Sequence, residues 1–236
     1  MAPEDGMRLR GSAAIAMWWD MAADMRAEFE HWHSHEHFPE RMAVPGFRRG
    51  SRWAAADGGE GFFVLYELQD HATLSSDGYL QRLNAPTPWS TRLMPHHRNM
   101  VRSQCRVAAS HGSAIARQVL TVRLTPAEGA EATLEQRLAA LAQDIAGRPG
   151  ITAGHLLQTR APAIATTTEQ KIRGGADAAA DWIFLACGYD RTALEALADA
   201  ELGDAALQRS GAAYGFPAVR GLYGLAHSAH GGGDSA

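Results

Sequence analysis

Four histidines lie within seven residues of one predicted helix, and they are the most chemically distinctive feature of this 236-residue chain. Residues four apart share a helix face, so His33 pairs with His37 and His31 pairs with His35. Imidazole both accepts and donates protons near neutral pH. We predict that His37 is the catalytic acid/base and that His33 or Glu36 assists it.

Histidines four apart can also chelate zinc, so a metal site has to be weighed against acid/base chemistry. The segment lacks the HExxH motif, because Glu36 is followed directly by His37. A third ligand would have to come from His71, His96 or His97, and the sequence does not determine where any of these lies relative to the helix. We predict no metal site, and no nucleotide cofactor either, since neither a GxGxxG nor a GxxxxGK[ST] motif occurs.

Other polar and aromatic side chains could bind a substrate near these histidines. Arginine can hold a carboxylate through a forked contact, and a tyrosine hydroxyl can polarise a carbonyl group. The predicted substrate-binding residues are Arg52, Tyr66, Trp19, Trp89, His97 and Arg98.

The composition is that of a globular protein, with 46% hydrophobic and 20% charged residues. The net charge is -4 and the basic residues are scattered, which argues against a nucleic-acid partner. No apolar run approaches the ~20 residues of a membrane span, and the N-terminus lacks a signal-peptide pattern. Cys105 and Cys187 lack CxxC spacing and are expected to be buried thiols. We therefore expect a cytoplasmic protein with a small-molecule substrate.

The hydrophobic periodicity predicts the element order βαββαβ in the first half. Pro39 is expected to stop the histidine-bearing helix, because proline cannot donate the next hydrogen bond. The predicted elements are a strand at 12–19, a helix at 25–37, a hairpin of strands ending at 55 and spanning 62–68 around an Asp57-Gly58-Gly59 turn, a helical stretch at 72–83, a helix at 91–100 and a strand at 102–109.

The same order recurs in the second half, which indicates an internal duplication. Pro45-Gly46 corresponds to Pro149-Gly150, and the strand at 62–68 corresponds to the one at 182–188. The predicted domains are a repeat at 11–112, a repeat at 115–229 with a long surface hairpin loop at 161–180, and disordered ends at 1–10 and 230–236.

The alignment of the repeats also predicts where the chemistry lies. His33, Glu36 and His37 align with Arg137, Ala140 and Leu141, so the second repeat lacks the imidazoles. We expect one active site per chain, in the first repeat.

The helix-to-strand passage of the first half resembles a known superfamily. It runs through Glu28-Phe29, His37-Phe38 and Val44-Pro45-Gly46-Phe47. This pattern is similar to the dimeric α/β-barrel superfamily of ferredoxin-like domains, and most of all to its EthD-type and muconolactone-methylisomerase-type members. The resemblance implies an α+β fold in which two fused βαββαβ repeats form an intramolecular barrel, with His37 as an acid/base or substrate-binding residue.

The sequence departs from the methylisomerase-type members at one place. Those members have a tyrosine in the strand after Pro-Gly, where this chain has Gly50 and Arg52.

We expect a cofactor-independent enzyme acting on a carbonyl-containing catabolite, such as a lactone, a quinone or an aromatic breakdown product, by isomerase, lyase or cyclase chemistry. The resembled superfamily also contains cofactor-free monooxygenases of activated aromatic substrates, which is the first alternative. A non-catalytic ligand-binding barrel is the second, and a haem role follows from family analogy alone. A fused barrel can still pair as a homodimer.

Overall fold

The computed structural model describes residues 8–55, 61–112, 115–175 and 177–231. Within these ranges no helix is both long and apolar enough to span a lipid bilayer. The β-strands are β1 (Ala13–Met21), β2 (Phe47–Ala55), β3 (Phe62–Leu68), β4 (His97–Gly112), β5 (Gln118–Leu124), β6 (Ile151–Thr159), β7 (Trp182–Gly188) and β8 (Val219–His230).

Helices connect these strands and cover the outside of the sheet. A π-helical turn (His33–His37) joins α1 to α2, and short 3-10 turns precede α3 and follow α4. The α-helices are α1 (Arg26–Trp32), α2 (Phe38–Met42), α3 (Asp77–Asn84), α4 (Pro88–Leu93), α5 (Glu131–Ile145), α6 (Thr168–Ile172), α7 (Arg191–Asp199) and α8 (Asp204–Ser210).

The eight strands close into one antiparallel barrel in the order β1-β3-β2-β8-β5-β7-β6-β4, with β4 pairing back onto β1. The first repeat contributes β4-β1-β3-β2 and the second contributes β8-β5-β7-β6. Two seams join the repeats, where Trp53 pairs with Leu225 and Val107 pairs with Leu157. This confirms the predicted α+β fold of two fused ferredoxin-like repeats that form an intramolecular barrel.

The two repeats also share their turn geometry. Gly46 and Gly150 have φ angles of 92° and 86°, a left-handed conformation that favours glycine. Asp70 and Asp190 each begin a helical turn and accept a backbone N–H from it. These matched pairs explain why the Pro-Gly and strand-Asp motifs recur in one order.

The interior of the barrel is packed with side chains from both repeats. Trp18 stacks on Phe63 with ring centroids 4.9 Å apart, and its indole N–H donates to the hydroxyl of Thr121 in the second repeat. The two cysteines, Cys105 and Cys187, are buried in the same cluster. The interior of the barrel is therefore a packed hydrophobic core.

Strand alternation sends the other side chains outward to the helices. In β3, Phe63 and Leu65 belong to the interior cluster, whereas Phe62, Val64 and Tyr66 pack in the cluster under the first-repeat helices. This layer, between the strands of the first repeat and its helices, is where the predicted histidines lie.

The helix does not stop at Pro39 as expected. It continues to Met42 through the π-helical turn, in which the Phe38 N–H donates to the carbonyl of His33, five residues back. In an α-helix the ring of Pro39 would clash with the carbonyl of His35, four residues back. Proline also has no N–H to donate to that carbonyl. The wider turn accommodates the proline without ending the helix.

The helix expected at 91–100 begins earlier and ends earlier. It starts at Pro88, because Thr87 caps it by accepting the Ser90 N–H and a proline needs no hydrogen bond in the first turn. Strand β4 then begins at His97, so His97 and Arg98 lie on a strand.

The chain ends are ordered further than the sequence indicates. Leu9 is buried and its N–H donates to the Ser110 hydroxyl, while the Gly231 N–H donates to the carbonyl of Arg48. The expectation of disorder at residues 1–10 and 230–236 is therefore corrected for residues 8–10, 230 and 231. Residues 1–7 and 232–236 and the predicted Asp57-Gly58-Gly59 turn lie outside the described residues.

The segment 161–180 is more than a surface loop. It contains α6, which begins with a capping box between Thr167 and Gln170. The Thr168 N–H donates to Asn84 in the first repeat at 3.0 Å, and Glu169 is buried. The expected hairpin loop therefore packs onto the first repeat.

Candidate functional site

A cavity of about 40 Å³ lies between the strands of the first repeat and the π-helical turn. This volume admits about three water molecules. Its lining includes three methionines, whose flexible side chains can repack around a larger ligand. The lining residues are Met17, Trp19, Trp32, His33, His37, Arg41, Tyr66, Tyr79, Leu83, Met94, His97, Met100, Arg102, Glu169 and Arg173.

His33 and His37 lie side by side at this cavity, with ring centroids 5.5 Å apart. Aromatic rings surround them. The ring centroid of Phe38 lies 5.1 Å from that of His33, and the ring centroid of Trp32 lies 4.5 Å from that of His37. Both histidines are buried. The predicted pair therefore lies among aromatic rings at the cavity.

Burial lowers the pKa of both imidazoles well below the usual range. The positive charge of Arg52 lowers the pKa of His33 further, and that of Arg41 does the same for His37. Both rings are neutral at pH 7, so each has one nitrogen lone pair that can accept a proton.

His97 lines the same cavity with a defined tautomer. Its Nδ1 lies 3.2 Å from the carbonyl oxygens of Leu93 and Met94. Carbonyl oxygens only accept hydrogen bonds, so Nδ1 carries the proton and Nε2 has the lone pair. Burial lowers the pKa of His97 to about 4.

The buried His33 and His37 and the half-buried His97 predict that acid destabilises the fold. Their pKa values are lower in the folded chain than in the unfolded chain, so the unfolded chain binds more protons below pH ~6.5. The stabilisation is complete above that pH, and for His97 it is lost as the pH falls from there toward about 4. Each histidine contributes a slope of at most about 1.4 kcal/mol per pH unit.

The measurement is urea unfolding between pH 7.5 and 5.0 in wild type and His97→Asn. The variant should lose less stability per pH unit, by up to about 1.4 kcal/mol. Equal slopes in the two proteins would contradict a lowered pKa at His97.

Several buried polar atoms at the cavity have no hydrogen-bond partner among the described residues. Leaving such groups unpaired costs free energy, so their convergence indicates a polar ligand or bound water. Burial also raises the pKa of the Tyr66 hydroxyl well above its usual value, which keeps it a proton donor. The unpaired atoms are Trp19 Nε1, His33 Nδ1, His37 Nδ1, Arg41 Nη1 and Tyr66 OH.

Arg41 is a lining residue that the sequence analysis missed. It is buried, and its Nη2 forms an ion pair with Glu169 of α6. Arg41 follows His33 and His37 at the same four-residue spacing. That spacing would have revealed it, had Pro39 not been taken as the end of the helix.

Glu169 and Arg173 bring the second repeat into the site. Glu169 lies 3.7 Å from Arg173, which also pairs with Asp177 at 2.7 Å. No motif indicated these residues, because segment 161–180 has no counterpart in the first repeat.

Five of the predicted site residues line the cavity: His33, His37, Trp19, Tyr66 and His97. The structure places Glu36 outside it. The Glu36 carboxylate accepts from Trp32 Nε1 at 3.1 Å and from the Thr87 hydroxyl at 2.5 Å. It therefore fixes the Trp32 indole, whose ring centroid lies 4.5 Å from that of His37.

Three further predicted residues also lie elsewhere. Arg52 donates to the Ser34 hydroxyl at 3.1 Å, and Trp89 Nε1 donates to Glu28 at 3.1 Å. Arg98 is exposed and lines a separate open cleft beside Asn99. The substrate contacts predicted for Arg52, Trp89 and Arg98 are thus not at the histidine cavity.

Gly50 explains the departure from the methylisomerase-type pattern. A Cβ at this position would lie 2.6 Å from Phe38 Cζ and 3.0 Å from Tyr66 Cδ1. The two rings occupy the space that a side chain would need.

Gly50→Ala should therefore lower the free energy of unfolding by about 1–3 kcal/mol, because Phe38 and Tyr66 must shift. Denaturant unfolding measures this change. The control is Gly224→Ala, where the added Cβ meets nothing closer than 4.0 Å. Equal effects of the two substitutions would contradict the packing described for Gly50.

Within the ranges that the structure describes, no group of three or more His, Cys, Asp and Glu side chains is placed to hold a metal ion.

No model of a known protein family matches the sequence, and a search of curated proteins finds no significant match. Solved structures do match over nearly the whole chain. An anthrone oxidase-like protein has 14% identity and a TM-score of 0.66, covering 96% of each chain.

Two putative monooxygenases match in the same way. The one from Lactobacillus acidophilus has 8% identity and a TM-score of 0.55, covering 94% of this chain and 97% of its own. The one from Fusobacterium nucleatum has 9% identity and a TM-score of 0.56, covering 93% and 95%. The chain therefore has the dimeric α/β-barrel fold of ferredoxin-like domains, with both repeats in one polypeptide.

Proposed function

We propose that this chain is a small-molecule enzyme in which His37, assisted by His33, removes a proton from a carbon atom next to a carbonyl group. The observation that carries the proposal is the convergence of two neutral, buried imidazoles and the unpaired Tyr66 hydroxyl on one cavity. The substrate class is a lactone, a quinone or an aromatic breakdown product, and the reaction is of isomerase, lyase or cyclase type.

The proposed first step uses the lone pair of the His37 imidazole. As the proton leaves carbon, the electron pair moves onto the carbonyl oxygen, which accepts a hydrogen bond from the Tyr66 hydroxyl. Burial disfavours a lone imidazolium, but the negative charge that forms on the substrate stabilises it in the same enclosure.

The second step decides the reaction type. If the imidazolium returns its proton to a different carbon, the product is an isomer. If a leaving group departs from the adjacent carbon, the reaction is an elimination, and if the carbanion attacks a second carbonyl of the same molecule, a ring closes. His33, 5.5 Å from His37 between ring centroids, is placed to share either proton transfer.

The test is a panel of lactones, quinones and ring-cleavage products incubated with the protein in D2O and followed by proton NMR. The proposal predicts enzyme-dependent exchange of deuterium at the carbon next to a carbonyl, followed by product. Exchange that proceeds equally with wild type and His37→Gln would refute it.

A cofactor-free monooxygenase is the second candidate, favoured by the names of the three matching structures. The same carbanion would transfer electrons to O2. A methylene group would become a carbonyl group, with one oxygen atom entering the product and the other leaving as water. Consumption of one O2 per substrate without added metal or flavin would identify this reaction, whereas turnover under argon would identify the isomerase, lyase or cyclase class.

A non-catalytic ligand-binding barrel predicts a different outcome. In that case His37→Gln changes the affinity for a ligand, and no compound in the panel is converted.

A further inference from the structure

Arg41 is a lining side chain that combines a fixed positive charge with a buried, unpaired hydrogen-bond donor. It is only 3% exposed, and its Nη2 bonds to Glu169. Its Nη1 has no hydrogen-bond partner among the described residues, and a carboxylate oxygen of Glu40 lies 3.9 Å away. An unsatisfied guanidinium N–H in this position calls for an acceptor from a ligand or water.

The charge around the cavity selects the type of acceptor. The lining includes Arg41, Arg102 and Arg173 but a single carboxylate, Glu169. The Asp177 carboxylate pairs with Arg173 from outside the lining. The lowered pKa values keep the imidazoles neutral at pH 7, so these five groups leave one net positive charge. Glu40 does not change this balance, because it also pairs with Arg82 at 3.3 Å.

We propose that the substrate carries a carboxylate and that Arg41 receives it. Guanidinium matches a carboxylate better than it matches a neutral carbonyl, since the contact is charge-assisted. This inference rests on the proposed function, because it names the charge class of the compound on which His37 acts.

The position of Arg41 also constrains the substrate. Arg41 follows His37 by four residues on the same continuous helical run, and both side chains line the cavity. A carboxylate held by Arg41 places the next carbons of the substrate toward the imidazoles. Among the proposed substrates, the compound is therefore one that bears a carboxylate, with its carbonyl group and acidic C–H within a few bonds of that carboxylate.

Binding of pyruvate and of its neutral isostere pyruvamide, measured by calorimetry at pH 7, tests the inference. Wild type should bind pyruvate at least ten-fold more tightly than pyruvamide. The double variant Arg41→Gln/Glu169→Gln removes both charges of the ion pair at once and should reduce this preference to about two-fold. Thermal unfolding of the double variant verifies that it is folded.

Arg98→Gln, in the separate cleft, is the matched control and should keep the full preference. Equal binding of the two probes by wild type, no binding of pyruvate, or an unchanged preference in the double variant would each overturn the inference. The outcome is separate from the proposed function, because the pyruvate preference is measured by binding to wild type and the role of His37 is measured by deuterium exchange.

Discussion

Replacing His37 with glutamine lowers turnover by about 100- to 10,000-fold in the proposed mechanism, which is the usual contribution of a general base. Glutamine is polar and of similar size, but it cannot accept a proton at neutral pH. The rate is measured as deuterium exchange and product formation by NMR, with the compound that wild type converts.

His35→Gln is the matched control for this prediction. His35 lies two residues earlier on the same π-helical turn, but its side chain is exposed and its Nδ1 bonds the carbonyl of His31. Turnover should stay within about two-fold of wild type in this variant, since its ring does not line the cavity. Equal losses in the two variants would assign the effect to the turn and not to the His37 imidazole.

Replacing Glu169 with alanine should cost about 3–5 kcal/mol of unfolding free energy, because it leaves Arg41 buried and charged without its partner. Denaturant unfolding measures the loss. Arg41→Met/Glu169→Met, which removes both charges, should recover most of it.

The matched control is Glu195→Ala, which breaks the exposed Arg191–Glu195 pair and should cost less than about 1 kcal/mol. A similarly small effect for Glu169→Ala would show that α6 does not hold Arg41 in solution.

The architecture could be predicted from the sequence because both repeats have the same turn and capping motifs in the same order. The Pro-Gly turns require glycine at Gly46 and Gly150, and a capping aspartate follows β3 and β7 at Asp70 and Asp190. Such local requirements survive divergence of the side chains between them, so order and duplication could be predicted.

The candidate site could be predicted only in part. The spacing of His33 and His37 identified the pair, but Pro39 was expected to end the helix, so the π-helical turn and Arg41 were not predicted. The partner of Arg41 comes from α6, 128 residues along the chain. A pairing over that distance leaves no local pattern, so Glu169 could not be predicted.

The difference between the repeats has a simple steric origin. Phe38 and Tyr66 align with Ala142 and Ala186 in the second repeat. Near Gly154, the counterpart of Gly50, a Cβ would lie 2.6 Å from the Ala142 backbone, so α5 packs directly on β6. In the first repeat the ring of Phe38 fills that place, which holds the helix off the sheet beside the cavity.

The second repeat is therefore more than a cover for the barrel. It supplies Glu169 of α6 and Arg173, which directly follows α6, to the cavity, although its own helix α5 has Leu141 where the first repeat has His37. Fusion of two repeats in one chain allows such a division, because each half can diverge independently.

A crystal structure of His37→Gln with the exchanging compound bound is the most direct test of the histidine cavity as the active site. The account predicts the compound between the π-helical turn and β3, with its carbonyl oxygen within hydrogen-bond distance of the Tyr66 hydroxyl and its acidic carbon beside position 37. A compound bound only in the open cleft at Arg98, with water filling the histidine cavity, would contradict it.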